Sequence, residues 1–332
     1  MNDVIEGKRI LFFAPAFFGY ERVLTEKMIQ MGASVDFYDV RSVSSTIERA
    51  LLKISPSFFP RKTKKYYEKI IRENENKEYD YVLFIKCDMT PVRILEKMRV
   101  VFNKAKFCLY LWDSVRNIKG IEKKFKYFDS IYSFDSIDCK NNRLLKLRPL
   151  FYSDQFASSL SLPHMTNYDI SFIGTIHSDR YAIIRDIKRI AKENGLSCFW
   201  HLYLQSHFIF WFYKIMKKEF RGVSKSVFSF EKLSFGDVKR IVDDSRIILD
   251  INHPRQTGLT IRTIEMIGMK KKIITTNANI RDYDFYNPNN ICIVDRLGCS
   301  IPDHFFDSPY QELPDGIYKR YSINQWIIDV LK

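Results

Sequence analysis

The 332-residue chain has no transmembrane-length apolar run, no CxxC pair, no GxGxxG and no internal repeat or low-complexity tract. Each absence removes a class of protein. A membrane-crossing helix needs about 20 consecutive apolar residues, which no stretch approaches. The six cysteines (Cys87, Cys108, Cys139, Cys198, Cys292, Cys299) form no metal-ligand spacing, so a zinc site is not expected. Several lie inside apolar strand-like runs, as reduced buried thiols do, which fits a cytoplasmic compartment. The missing GxGxxG excludes a dinucleotide-binding fingerprint. RRM, KH and helix-turn-helix signatures are absent, so nucleic acid is not the expected partner. The six histidines are scattered and none sits in a nucleophile elbow, so no Ser/His/Asp set is legible.

What is present fits a globular protein of about two domains. Hydrophobic residues make up 46% and charged residues 28%, with 27 Phe and 19 Tyr. The formal charge of +14, from 53 Lys and Arg against 39 Asp and Glu, favours anionic partners such as phosphorylated substrates or acidic membrane surfaces. The cations are spread, with denser clusters at 61–65, 123–126, 140–148, 214–221 and 270–272. Most read as solvated faces. The apolar run Ile10–Phe18 could be mistaken for a signal peptide. Mixed charge precedes it, Pro15 breaks it, and no small-residue cleavage site follows, so a first strand with its loop is the better reading.

Strand and helix signals alternate in both halves. RILFFA (9–14) is a solid apolar run of the kind a covered parallel strand shows, followed by a turn at 15–19 and a helix over 20–31. Gly32 ends that helix and SVDFYDV (34–40) gives the next strand. The basic, aromatic 42–77 reads as helical. YVLFI (81–85), FCLYL (107–111) and SIYS (130–133) continue the sheet. The Ser-rich 150–168, with Pro163, breaks the rhythm and is assigned as the linker. The pattern restarts with DISFI (169–173), a loop at 174–179, a helix over 180–194 and a strand at 197–204. A Ser234/Asp237 capping box opens a helix through 242. A strand at 246–251, a helix over 259–267 ended by Gly268, and a strand at 272–275 follow. YSINQWIIDVL (321–331) closes as a helix. This alternation predicts two doubly wound, Rossmann-like α/β domains.

In open parallel sheets, ligands bind beyond the carboxyl ends of the strands, which selects two loops of the second half. The first is Gly174-Thr175-Ile176-His177-Ser178-Asp179-Arg180. A glycine after a buried strand permits close backbone approach, and hydroxyls, a helix N-terminus and Arg180 suit a phosphate. The bland alternative is a tight turn with an Asp or Ser cap. The second is Asn252-His253-Pro254-Arg255-Gln256-Thr257-Gly258, which leads through Leu259 into a helix carrying Arg262 and Glu265. Three residues apart, these two share a helix face. The cation suits a diphosphate and the carboxylate a ribose diol; the bland alternative is a surface ion pair.

The segment QTGLTIRTIEMIGMKKKIITTN resembles the nucleotide-sugar-binding segment of GT-B glycosyltransferases. The wider SRIILDINHPRQTGLTIRTIE and the later NANIRDYDFYNPNNICIV resemble a bacterial group that serves capsule, O-antigen and lipopolysaccharide synthesis, loosely akin to CgeB-like spore-maturation glycosyltransferases. LYLWDS and IYSFDSID in the first half carry the likeness more weakly. The resemblance implies a GT-B-like α/β fold, with two Rossmann-like domains facing across a cleft. The boundaries would be an acceptor-binding domain at 1–150, a linker at 151–168, a nucleotide-sugar-binding domain at 169–310 and a helical tail at 311–332.

By the same likeness Glu265 contacts the donor ribose and Arg262 the diphosphate. The donor set is then Gly174, Thr175, Ser178, Arg180, Asn252, Arg255, Gln256, Thr257, Gly258, Leu259, Arg262 and Glu265. The chain departs from the large retaining families, whose paired glutamates stand seven residues apart: Lys272 follows Glu265 at that spacing. Asp282-Tyr283-Asp284 is a DxD string, but it falls late in the second domain, where a GT-A metal site would not. No metal and no other cofactor is expected; basic side chains and a helix dipole would meet the leaving-group charge. An inverting reaction needs a general base from the first domain. Asp113 is the first candidate, Asp88 the second, and Glu21 a third.

Two readings of 206–221 stand side by side. FIFWFYKIMKK (208–218) and the cations up to Arg221 suit an interfacial helix on an anionic membrane, such as the inner face of a bacterial plasma membrane. They suit equally the ordinary second helix of a Rossmann-like domain. The expected partners are a nucleotide-sugar donor and a glycan or lipid-linked acceptor. Rival functions are a catalytically silent nucleotide-binding scaffold, which would bind donor without turnover, and a nucleic-acid-binding protein, which would show a salt-sensitive shift with generic RNA. A transferase of phosphorylated polyols, preferring a CDP-linked donor, is the nearest enzymatic alternative.

Overall fold

Strands apolar along their whole length must be covered on both faces, and helical crossovers supply that cover in both halves of this chain. The computed structural model describes residues 4–16, 19–43, 59–158, 166–254 and 256–332. Among these the chain divides into two compact units, one of Met1–Leu150 with Ile323–Lys332, the other of Phe151–Ser322.

The first unit runs β1 (Arg9–Ala14), α1 (Tyr20–Gln30), β2 (Ser34–Asp39), α2 (Pro60–Asn74), β3 (Tyr81–Ile85), α3 (Val92–Val101), β4 (Lys106–Leu111), β5 (Ser130–Ser133), α4 (Ser136–Asn141) and β6 (Leu145–Leu147). Its sheet is parallel throughout, in the order β2-β1-β3-β4-β5-β6. Phe13 and Phe84 stack across β1 and β3 with ring centroids 4.4 Å apart. Of the stretch read as helical at 42–77, the described part holds α2; 44–58 lies outside the described residues.

The second unit runs β7 (Tyr168–Thr175), α5 (Arg180–Glu193), β8 (Cys198–Tyr203), α6 (His207–Met216), α7 (Phe235–Asp243), β9 (Ser245–Asp250), α8 (Ile261–Gly268), β10 (Lys272–Thr275), β11 (Ile291–Ile293), α9 (Asp303–Asp307) and α10 (Asp315–Arg320). Its sheet, also parallel, has the order β11-β10-β9-β7-β8. Counted within each unit, both sheets start with strands in the order 2-1-3, so each has its topological switch point between its first and third strands. That places the switch between β1 and β3 in one sheet and between β7 and β9 in the other, where crevices open at the strand ends.

Three expectations need correction. The segment assigned as linker is ordered where it is described: Phe151, Tyr152 and Phe156 are buried in the second unit, and the Tyr152 amide donates to the Tyr321 carbonyl at 2.9 Å. Its serines hid three aromatic anchors; 159–165 lie outside the described residues. The tail set apart at 311–332 is divided. α10 stays with the second unit, whereas α11 (Ile323–Leu331) packs on α1 and β4 of the first, with Trp326 edge-on to Tyr110 at 4.7 Å. An Arg148–Asp329 ion pair at 2.9 Å fastens it.

The third concerns Gly268, read as a helix stop. It is the last residue of α8, and the left-handed residue beyond it is Lys270, at φ 54°. Gly268 is required by packing: a Cβ there would lie 2.5 Å from the Phe156 carbonyl oxygen and 2.5 Å from Tyr152 Cγ. Backbone cannot yield as a side chain can, so Gly268→Ala is expected to cost about 1–3 kcal/mol. Denaturant titration checks this; an unchanged midpoint would refute the close approach.

All six cysteines are unpaired. No helix of the described residues is long and apolar enough to cross a membrane.

Candidate functional site

The carboxyl end of the second sheet gathers the loops after β7, β9, β10 and β11. The parallel register brings Thr275, the last residue of β10, level with Asp250, the last of β9. Asp250 is buried, and its Oδ2 accepts from the hydroxyls of Thr260, at 2.9 Å, and Thr263. Thr260 is the N-cap of α8, its Oγ accepting from the Thr263 amide at 3.1 Å. A carboxylate at the end of β9 thus fixes the start of α8, whose Thr260, Ile261 and Arg262 line a cavity beside the switch point.

This cavity, of about 130 Å³, is lined by Ser171, Phe172, Arg180, Asp250, Thr260 and Arg262 among others. Three of its lining residues carry a buried polar atom with no hydrogen-bond partner: Ser171 Oγ, Arg180 Nε and Arg262 Nη1. Leaving such groups unpaired costs roughly 1–3 kcal/mol apiece, more when they are charged. Burial pushes the Arg180 pKa down and Asp250 opposes that shift. Arg180 Nη1 donates to the Thr175 carbonyl at 3.0 Å. Arg262 Nη1 lies 3.7 Å from Glu265 Oε2. The Glu265 residue is only 2% exposed and does not itself line the cavity, which Arg262 does. The cavity is cationic, partly unsatisfied, and sits at a helix N-terminus. These properties suit an anion.

The other donor candidates fall into two groups. Gly174 and Thr175 belong to β7 rather than to the loop, Gly174 pairing with Leu202. The absent side chain of Gly174 makes room for the Phe172 ring, which a Cβ would meet at 2.9 Å. The strained position of that loop is Ser178, at φ 52°. Asn252, Gln256, Thr257, Gly258 and Leu259 form the turn before α8. The Asn252 amide donates to the Gln256 carbonyl at 2.8 Å, and Asn277 and Asn279 each donate to the Thr257 carbonyl at 3.2 Å. Leu259 is buried beneath the turn. Arg255 lies outside the described residues.

Sequence reasoning missed the residue that ties these loops together. Arg296, just past β11, donates through Nη1 to both oxygens of Asp179 at 3.0 and 2.9 Å. Its Nη2 reaches the Asn252 carbonyl at 2.8 Å, Asn252 Oδ1 at 2.5 Å and Thr276 Oγ1 at 3.1 Å. One guanidinium therefore joins the loops after β7, β9 and β10, in the fork geometry only arginine offers. Its sole sequence signal was a cation shortly after an apolar run.

His177 faces His253 with ring centroids 5.5 Å apart. Burial, then Arg180, His253 and Lys217, depress its pKa from 6.5 to about 4. The folded protein therefore keeps His177 neutral where the unfolded chain would protonate it. That contribution is fully present above pH 6.5 and is lost as pH falls toward 4. The wild-type melting temperature is expected to fall over this range more steeply than that of His177→Gln; parallel curves would dismiss the idea.

Two sequence features resolve into structural roles. Lys272, at the glutamate-pair spacing, is the first residue of β10, at the opposite end of the strand from the site. There it is buried and donates to the Ser308 carbonyl at 2.8 Å, and burial lowers its pKa to about 8. In the DxD string, Asp284 is engaged by Arg320 and by the Tyr321 hydroxyl. Among the described residues, no group of three or more His, Cys, Asp or Glu could hold a metal ion.

In the first unit, the proposed bases occupy different environments. Asp113, beyond β4, accepts from Lys86 Nζ at 3.0 Å and from the Asn117 amide at 3.0 Å, so both oxygens are engaged. Lys86 itself is held at φ 58°. Asp88 follows β3 at the switch point, and its carboxylate is met by backbone amides, its own and that of Met89. Burial raises its pKa above the usual carboxylate range, against the pull of Lys86. Glu21 stands in the first turn of α1, on the other side of the switch point. Both Asp88 and Glu21 act electrostatically on Arg41, which is bound to Asp39 through 2.7 and 2.9 Å contacts.

No family model and no curated protein matches this chain. Solved structures do. Anabaena Alr3699/HepE in complex with UDP and glucose is 12% identical, with a TM-score of 0.59, covering 98% of this chain and 99% of that one. The apo form of the lipopolysaccharide outer core galactosyltransferase WaaB is also 12% identical, with a TM-score of 0.54, covering 97% of this chain and 99% of that one. At such identities the likeness speaks for architecture, and together with the two parallel sheets of six and five strands it gives the chain the two-domain α/β GT-B fold.

Proposed function

We propose that the chain is a metal-independent glycosyltransferase. It takes a sugar from a nucleotide-diphospho-sugar and passes it to a glycan or lipid-linked acceptor of bacterial surface polysaccharide, of the capsule, O-antigen or lipopolysaccharide type. The narrower kinship to CgeB-like enzymes belongs to the same proposal. The observation that carries it is the small cavity at the β7/β9 switch point with its three unpartnered polar atoms. A diphosphate supplies the acceptors that Arg180 and Arg262 lack, and the α8 N-terminus adds its partial positive charge. When Arg262 turns to phosphate, Glu265 is released from it and takes the ribose hydroxyls. The same cations then carry the charge of the departing nucleotide, without a metal. The complexes of Alr3699/HepE with UDP and UDP-glucose make uridine nucleotides the first probes.

The acceptor and its base are assigned to the first unit. Asp88 suits the role better than Asp113. A general base works best with a pKa raised toward the working pH, and Asp113 is already committed to Lys86 and Asn117.

A thermal-shift panel of nucleotides and nucleotide sugars tests the donor assignment. One nucleotide class is expected to stabilise the wild type, by about 2.7 kcal/mol at a ligand concentration near a hundred times Kd. Arg180→Ala and Arg262→Ala should each remove most of that shift. Folded wild type that responds to no nucleotide, or variants that respond as wild type does, would end the proposal.

A further inference from the structure

α6 presents its apolar side outward. Phe208, Trp211, Phe212, Ile215 and Met216 are 77%, 54%, 50%, 74% and 66% exposed. Their spacing of three, four, seven and eight residues puts all five on one helix face. The opposite side holds the helix to the second unit: Phe210 is buried against Phe228, ring centroids 5.7 Å apart, and Ile209 and Tyr213 pack on the same core. Ser206 caps the start, accepting from the Ile209 amide at 3.3 Å. Lys217 ties the end to the Ser178 carbonyl, in the loop of the candidate site. The outward apolar face is therefore fixed by the fold.

Cations border this face. The Lys214 ammonium lies 5.2 Å from the Trp211 ring centroid, and Lys218, Arg221 and Lys225 are exposed in the chain that follows. A contiguous aromatic and aliphatic face edged by lysine and arginine matches a layer that is apolar within and negatively charged at its rim. We propose that α6 docks the protein on an anionic lipid bilayer, lying along the interface with its five apolar side chains in the acyl–headgroup boundary and its cations at lipid phosphates. At ten residues the helix is far too short to cross. A second copy of this chain would offer apolar surface but brings the same net charge of +14, which opposes the pairing of two cation-edged faces. The inference goes beyond glycosyl transfer and does not rest on it, since docking is read without donor or turnover.

Co-sedimentation of the full chain with lipid vesicles tests it. The protein is expected to pellet with phosphatidylcholine vesicles containing phosphatidylglycerol, to stay in solution with phosphatidylcholine alone, and to be released by salt. The variant Trp211→Ser/Phe212→Ser/Ile215→Ser should reduce binding by about ten-fold or more. Lys218→Glu/Arg221→Glu should weaken binding to anionic vesicles specifically. All five positions are exposed, and an unchanged melting temperature with an unchanged nucleotide shift verifies folding; Ile215→Ser alone serves if the triple variant is unstable. Wild type remaining in the supernatant with anionic vesicles would overturn the inference. So would a triple variant that binds as well as wild type, or a lipid-free dimer that the same substitutions dissociate.

Discussion

Asp88→Asn is expected to lower kcat by about 10²–10⁴-fold while leaving nucleotide binding as it was. Asparagine keeps the shape and cannot take a proton. The donor loops belong to the other unit, so the nucleotide-induced thermal shift should survive. Burial holds the Asp88 pKa above the ordinary carboxylate value, so folding binds a proton more tightly than the unfolded chain does. Stability from this group is then lost as pH rises through that range, and the neutral asparagine should melt no lower than wild type at neutral pH. A kcat loss without a Tm loss separates the chemical role from a structural one. Activity should also fall on the acid side at a pH above the usual Asp value of about 3.9. Asp113→Asn is expected to do much less. A large kcat loss in Asp113→Asn with Asp88→Asn near wild type would return the base to Asp113.

Arg296→Ala should be the most damaging single change in the second unit outside the core. It removes the hydrogen bonds that tie Asp179 to Asn252 and Thr276, leaves Asn252 and Thr276 joined only by the Thr276 hydroxyl on Asn252 Oδ1 at 2.7 Å, and takes the arginine donor from the buried Asn252 carbonyl. The Arg296–Asp179 pair is partly exposed and screened, so the cost comes mainly from the hydrogen bonds lost at Asn252 and Thr276 and is about 1–3 kcal/mol. For a domain of this size each kcal/mol lowers Tm by roughly 2–4 °C. The stability loss should come with weaker nucleotide binding, because Arg180 follows Asp179 directly and α8 begins at the other end of the Asn252 loop. Arg296→Lys is not expected to rescue either property, since one ammonium cannot replace a fork that reaches several acceptors. A variant with wild-type Tm and wild-type nucleotide shift would show that the loops hold their places without it.

Strands were legible because burial on both faces leaves apolar runs: RILFFA and YVLFI coincide with β1 and β3, and the two-residue apolar centres of SIYS and KIIT with β5 and β10. Helix limits were legible where a cap residue marked them, as Ser234 marks α7. Long-range partners were not. Nothing local in Arg296 or Asn277 announces that the fold will carry them beside a loop some twenty or forty residues away along the chain. The glycines misled for the same reason. Gly174 and Gly268 look like a phosphate turn and a helix stop, whereas one clears space for Phe172 and the other for the Tyr152–Phe156 segment. That Arg262 and Glu265 share a helix face was legible from their spacing, and they lie 3.7 Å apart, but burial of the carboxylate depends on tertiary packing that spacing does not encode.

The placement of α11 sets an order of events during synthesis. A ribosome releases the β1–β6 region first, yet the helix that covers Tyr110 with Trp326 emerges only after the whole of the second unit. The second unit, Phe151–Ser322, is complete in sequence before then and can fold as soon as it leaves the exit tunnel. Until α11 arrives, part of the first sheet remains uncovered, a surface for chaperones to hold and proteases to find. Chains lacking 323–331 would therefore be damaged in the β1–β6 region, with the second unit intact.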